Sequence, residues 1–295
     1  MTGLDPILLG HNPFFGVNHL SAERGAATAE RFEDAQRIAD MLLHCHGLGV
    51  RAMMMSTHPR AAVVSRVIGQ QEALRDAWRV YPLVPYIQKY VRQSNEKGMV
   101  TMVLDALGQA SLREKFSLVL RGGAGMLTKD LDQALRVLID LELLPFKGRQ
   151  LGVVFLHDAL TDLALGLGAD SVLELFRDHV TGKHGARAGL VTKNLPLLRD
   201  RLAARGLSDF TLMASFNSRG FYVNPSLAVA GAALRDPALN VVAMNTLASG
   251  ALKPDAAYKF LSEFPAIKSV VVGVSRKDHA EETVAAIRRH MPCAR

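Results

Sequence analysis

A strand-then-helix unit recurs eight times along this chain, and that alternation constrains the fold more than any other feature of the sequence. The final copy is the clearest. Residues 269–272 form a β-branched run without alternation, which suits a strand covered on both faces. Gly273 ends it. Ser275, followed three residues later by Asp278, reads as a capping box opening a helix whose apolar positions Val284 and Ile287 recur at helical spacing. Seven earlier strands fall at 6–10, 50–56, 80–87, 151–156, 187–191, 211–216 and 240–244. Their helices fall at 29–47, 61–78, 128–144, 171–180, 194–205, 226–235 and 255–264. Eight such units in 295 residues predict an α/β fold, a single (β/α)8 barrel spanning residues 1–295. The rhythm breaks once, after strand three, where 88–125 reads as inserted helices or a lid. No glycine fingerprint of the dinucleotide-binding type follows the first strand, which counts against an open doubly wound sheet.

In a barrel of this kind the chemistry lies at the C-terminal strand ends. Here those ends carry His11, His58, Lys89 slightly beyond its strand, His157 with Asp158, Lys193, Asn217, Asn245, and Ser275 with Arg276. Asn12, Asn18 and His19 crowd the first of them. Ordinary loops favour Gly, Ser and Asp, so this set points to an enzyme. His157 directly follows the buried run VVFL and is placed for proton transfer near neutral pH. Lys193 suits a Schiff-base nucleophile, an anion clamp or a solvated helix start. His11, His58 and His157 would suffice for a zinc site if they converged, but HxH and HExxH spacings are absent and no metal is expected. At the last strand end, free helix N–H groups with Arg276 and Lys277 form a candidate phosphate cradle.

Composition limits the partners. The formal charge of +7 permits anionic ligands, yet the basic residues are scattered and no aromatic-interleaved basic stripe suggests nucleic acid. No apolar run reaches the ~18 residues of a membrane span, and the N-terminus lacks a signal-peptide pattern, so a cytoplasmic protein is expected. Cys45 and Cys293 lack metal-type spacing and are expected to be free thiols.

Four stretches resemble the aldo-keto reductase superfamily. VVAMNTLASGAL at 241–252 is similar to its V-I-A-Y-S-P-L-G-S-G-L-L, and SVVVGVSRKDHAEETVAAI at 269–287 to its strand-G-A-S-R unit with E-E-N in the helix. LGVVFLHD at 151–158 is similar to its fourth-strand motif ending in histidine, and AGLVTKNLPLL at 188–198 more loosely to G-V-S-N-F. The resemblance covers about 150–290. It implies that His157 is the catalytic histidine, that Ser275, Arg276, Lys277 and Glu282 hold the adenosine-side phosphate of NADPH, and that Lys89 stands in for the catalytic lysine. The chain also departs from the pattern. The second-strand D-x-x-x-x-Y has no counterpart in MMMSTHPR at 53–60, the Ser-Asn pair that grips the nicotinamide amide becomes Thr192 and Lys193, and the stacking tyrosine becomes Met244. Two readings follow. One is an NADPH-dependent carbonyl reductase of a small oxygenated metabolite, with His58 or Tyr86 as the acid. The alternative is a non-redox lyase, aldolase or isomerase using Lys193 and His157 on an anionic or phosphorylated substrate.

Overall fold

The computed structural model describes residues 3–17, 22–86 and 129–291. The expected insertion at 88–125, and Asn18, His19, Lys89 and Cys293 with it, lie outside the described residues. The strands are β1 Ile7–Gly10, β2 Ala52–Ser56, β3 Arg79–Val84, β4 Gln150–Leu151, β5 Val153–Leu156, β6 Arg187–Thr192, β7 Thr211–Ser215, β8 Val241–Met244 and β9 Ile267–Val272. They form one sheet in the order β2, β1, β9, β8, β7, β6, β5, β3, β4, and β2 also pairs with β3, which closes it. Every pairing is parallel. Both β4 and β5 pair with β3, so they are two halves of one stave and the closed barrel has eight.

The break between those halves has a packing cause. Alternate residues point inward along each strand, and the barrel interior holds Leu8, Ala52, Met54, Tyr81, Val153, Phe155, Val191, Met213 and Val242. Two of these are aromatic rings, and each lies against a glycine on a neighbouring stave. A Cβ on Gly152 would stand 2.4 Å from the Tyr81 ring, and one on Gly189 would stand 2.4 Å from the Phe155 ring. The floor of the barrel is polar and tightly bonded. Arg79 grips Asp5 through Nε and Nη2 at 2.7 and 2.5 Å, the Tyr81 hydroxyl donates to Asp5 Oδ2 at 2.7 Å, and the Ser269 hydroxyl donates to the Asp5 carbonyl at 2.6 Å. Burial, foremost, pushes the Tyr81 phenol well above its usual value. This end is consumed by its own network.

The outer layer comprises α1 Asn12–Phe15, α2 Ala22–Arg31, α3 Ala35–Gly47, α4 Ala61–Gln70, α5 Glu72–Arg75, α6 Lys129–Leu143, α7 Asp158–Leu167, α8 Asp170–His184, α9 Leu195–Ala204, α10 Leu227–Leu234, α11 Pro254–Leu261 and α12 Lys277–His290. Several boundaries differ from the sequence reading. The helix expected over 29–47 is two, because the Asp34 side chain accepts the Gln36 N–H and restarts the chain as α3. The one expected over 61–78 breaks at Gln71, whose ψ of 116° is extended. α7 was not expected, since its apolar run directly follows the strand-end residues. The Ser275 capping box does not form. Arg276 is the N-cap residue of α12 and no side chain caps it, because Asp278, in the first turn, pairs with Arg276 instead. No helix among the described residues is long and apolar enough to cross a membrane. Cys45 is a buried free thiol, and burial pushes it up to about 12.

Candidate active site

The mouth is built where β2, β3 and β5 end side by side. Ser56 pairs with Leu83 and Val84 with Leu156, and the His157 N–H donates to the Val84 carbonyl at 2.8 Å. The segments leaving these strands bring His58, Tyr86 and His157 to one arc of the rim. The rings of His58 and Tyr86 meet edge to face, centroids 5.0 Å apart at 80°, and Phe15 stacks on His58 at 4.8 Å. His11 leans on Phe15 at 4.8 Å. Its Nδ1 donates to the Met54 carbonyl at 3.3 Å and its Nε2 accepts from the Ser56 hydroxyl at 3.2 Å, which fixes one tautomer. Asn12 begins α1, and its carbonyl accepts the Val17 N–H. The His58 Nδ1 accepts the Arg60 N–H at 3.1 Å, so a neutral His58 carries its proton on Nε2.

Around the next quarter of the rim, Asp158 sits between His157 and Lys193. Its Oδ1 is 2.6 Å from His157 Nδ1 and its Oδ2 is 3.7 Å from Lys193 Nζ. The Ala159 N–H also approaches His157 Nδ1, at 3.2 Å. One nitrogen does not donate and accept at once, and the shorter contact to a charged acceptor wins. Nδ1 therefore carries the proton, leaving Nε2 as the nitrogen that a ligand would meet. Burial pushes the Asp158 carboxyl up, but the His157 bond and the charges of His157 and Lys193 outweigh it and hold the group below its usual range. Lys193 itself is 70 % exposed.

The asparagines serve their loops. Asn217 is buried, its Oδ1 accepts the N–H groups of Arg219 and Phe221, and its Nδ2 donates to the carbonyls of Phe221 and Asn245. Asn245 takes a left-handed φ of 54° and donates to the Ser215 hydroxyl at 2.7 Å. At the last strand end Ser275 presents its carbonyl to Arg31 Nη1 at 3.0 Å, Arg276 is clamped to Asp278, Lys277 is exposed, and Glu282 lies exposed further along α12.

The structure adds a residue that the strand-end search missed. Glu142, near the end of α6, is 4 % exposed and brings its carboxylate into the mouth, where Oε2 accepts from the Thr57 hydroxyl and from the Tyr86 N–H at 3.0 Å. In the sequence Glu142 falls three and four residues after Ile139 and Leu138, on the apolar face of its helix, a pattern that marks a buried face and not a place at the mouth. Among the described residues the group with metal-type spacing is Asp140, His179 and His184, whose ligand atoms lie within 4.8 Å of one another. It lies in the helix layer on α6 and α8, and Lys183 occupies the second Asp140 oxygen at 2.6 Å. Both imidazoles donate to Asp140 Oδ1 at 2.8 Å, so the group is already a bonded ionic cluster.

No protein-family model matches the chain, and no curated protein matches it significantly. Solved structures do match. A Pseudomonas aeruginosa protein provisionally described as an aldo-keto reductase superposes with a TM-score of 0.59 at 17% identity, over 98% of this chain and 92% of that one. The fold is that of the aldo-keto reductase barrels. A holo-form aldo-keto reductase from Bacillus halodurans gives 0.55 at 12% identity over 86% and 82%, and one from Klebsiella pneumoniae in complex with NADPH gives 0.54 at 14% over 95% and 84%. Thr192 is fully buried and donates to Asp162 Oδ1 at 2.5 Å, so its hydroxyl is spent inside the fold. Met244 lies half-buried against the barrel interior.

Proposed function

We propose that the chain is an oxidoreductase of the aldo-keto reductase type, reducing the carbonyl group of a small oxygenated metabolite with NADPH. The observation that carries this reading is the edge-to-face pair of Tyr86 and His58 beside His157, at the adjoining ends of three consecutive staves. A phenol is a proton donor, and a protonated imidazole next to it can return a proton to the phenolate, becoming neutral. When bound, NADPH supplies the hydride for the carbonyl carbon. The chain supplies the proton for the carbonyl oxygen, from the Tyr86 hydroxyl with His58 as its partner. His157, with its Nδ1 proton held by Asp158, leaves Nε2 as an acceptor for a hydroxyl of the substrate and so orients it beside the reacting carbonyl. Phe15 and the His58 ring give the site an apolar wall that keeps water from the reacting carbon.

Support for the cofactor is uneven along its length. Arg276, Lys277 and the uncapped start of α12 fit the phosphate end, with Arg31 close by at the Ser275 carbonyl. At the nicotinamide end the family's Ser-Asn grip is replaced by a buried Thr192 and an exposed Lys193, so the amide would have to be held by other groups of the rim. A specific observation favours a second reading, because the row His157–Asp158–Lys193 is an acid-base array suited to a lyase, aldolase or isomerase acting on an anionic substrate. Lys193 as a Schiff-base nucleophile would require a desolvated pocket, and 70 % exposure argues against that role.

The test is Tyr86→Phe. On the reductase reading it leaves NADPH affinity unchanged and lowers turnover by about 10² to 10⁴. Trp78 is fully buried and donates to His46 Nδ1 at 3.0 Å ahead of β3, at the opposite end from the mouth, so cofactor binding is best followed by the emission of NADPH itself. Unchanged turnover in Tyr86→Phe removes Tyr86 as the proton donor, whereas a parent that turns over no NADPH removes the reductase mechanism and leaves the His157–Asp158–Lys193 array as the chemistry.

A further inference from the structure

We propose that Glu142 is the positioning residue of the site, a single carboxylate oxygen that sets the His58–Tyr86 pair; this rests on the reductase reading for its meaning but not for its geometry. The two segments joined by that oxygen are far apart in sequence, since Thr57 is 85 residues from Glu142 and Tyr86 is 56. Thr57 is one peptide bond before His58, and the Tyr86 N–H belongs to the tyrosine itself. Fixing both donors on Oε2 therefore fixes the backbone on either side of the ring contact, and the 5.0 Å edge-to-face geometry follows from it.

The surroundings make this anchor stiff. Below the carboxylate lies a cavity of about 40 Å³ walled by Val84, Pro85, Leu138, Ile139, Leu156 and Phe176 among others, and Glu142 is the charged residue on its wall. Hydrogen bonds to a charged acceptor are about twice as strong as neutral ones, so the two bonds to Oε2 hold both segments firmly. The same wall draws on α6, α7, α8 and the ends of β3 and β5, so the anchor ties a helix of the outer layer to the strand ends. The effect of Glu142 passes through Thr57 and Tyr86, and a displacement of about 1 Å in a reacting pair costs up to about a hundredfold in rate.

The experiment compares Glu142→Gln, Glu142→Leu and Thr57→Val by NMR of the His58 ring protons, whose shifts report the neighbouring Tyr86 and Phe15 rings, alongside turnover of NADPH with a small aldehyde. Glu142→Gln keeps an acceptor oxygen and is expected to keep the His58 ring shifts and turnover within about threefold. Glu142→Leu is expected to move the shifts and to lower turnover by about ten- to a hundredfold with little change in KM. Thr57→Val removes one arm with little change of shape, so it carries the test if the leucine variant does not fold, and it is expected to move the His58 shifts in the same sense. Parental His58 shifts in folded Glu142→Leu or in Thr57→Val overturn the proposal. The ring shifts decide this even if the parent turns over no NADPH, in which case the reductase reading alone has failed.

Discussion

Asn217 shows how a polar strand-end residue can belong to its loop and not to a ligand. All of its side-chain bonds are made to backbone groups of 219, 221 and 245, inside a buried site. Asn217→Ala should cost roughly 1–3 kcal/mol for the unsatisfied groups it leaves, read as a lower thermal midpoint with turnover per folded molecule little changed. His157 is expected to behave in the opposite way. His157→Gln should keep the midpoint and lower single-turnover rate by about 10² to 10⁴; lost stability beside a near-normal rate would mark it as structural. Asp140 gives a pH-dependent case. Burial pushes its carboxyl up, but bonds from Lys183, His179 and His184 outweigh that and bring it down to about 2. The folded value lies below the unfolded one of about 3.9, so the stabilisation is full above about pH 5 and fades as pH falls toward 2. Asp140→Asn should therefore lower the midpoint at neutral pH, by roughly 1 kcal/mol after solvent screening, and the gap to the parent should narrow below about pH 4. The rim positions of His11, His157 and Lys193, each directly after a buried strand, and of His58, two residues after one, were legible from the strand ends. Glu142 was not, because it reaches the mouth from a helix whose periodicity announces only an apolar face.

At the scale of elements, the start of α12 decides whether the mouth accepts a phosphate. Arg276 is exposed and its guanidinium is already paired with Asp278 through two contacts. The side-chain bond to Arg276 holds Asp278 far below the usual carboxylate range. An arriving phosphate competes with that carboxylate. Arg276→Ala should weaken NADPH binding by about ten- to a hundredfold, while Asp278→Asn, which frees the guanidinium, should tighten it severalfold; titration of NADPH emission checks both. The capping box read from Ser275 and Asp278 failed for the same reason, since spacing alone does not reveal that Asp278 has a nearer cationic partner. The glycines of the fourth and fifth staves are the other element-scale feature. Gly189→Ala would place a methyl 2.4 Å from the Phe155 ring and should destabilise by about 1–3 kcal/mol, seen as a lower denaturant midpoint.

For the molecule as a whole, the eight-unit alternation in the sequence was enough to reach a closed parallel barrel, because strand and helix periods are written into apolar spacing at every position. The helix breaks at Phe32 to Asp34 and at Gln71, and the stave break at Gly152, were not legible. They depend on a local cap and on rings arriving from neighbouring staves. The floor of Asp5, Arg79, Tyr81 and Ser269 closes one end of the barrel by its own bonds, and His11, His58, Tyr86, Glu142, His157 and Lys193 lie at the other. The likeness to aldo-keto reductase barrels at 12 to 17% identity concerns the fold. The claim of NADPH-dependent reduction at this rim is tested most directly by titrating the parent chain with NADPH and following cofactor emission, with Arg276→Ala in parallel. The account predicts saturable binding by the parent and weakening by at least about tenfold in the variant; no binding by the parent, or equal binding by both, would contradict it.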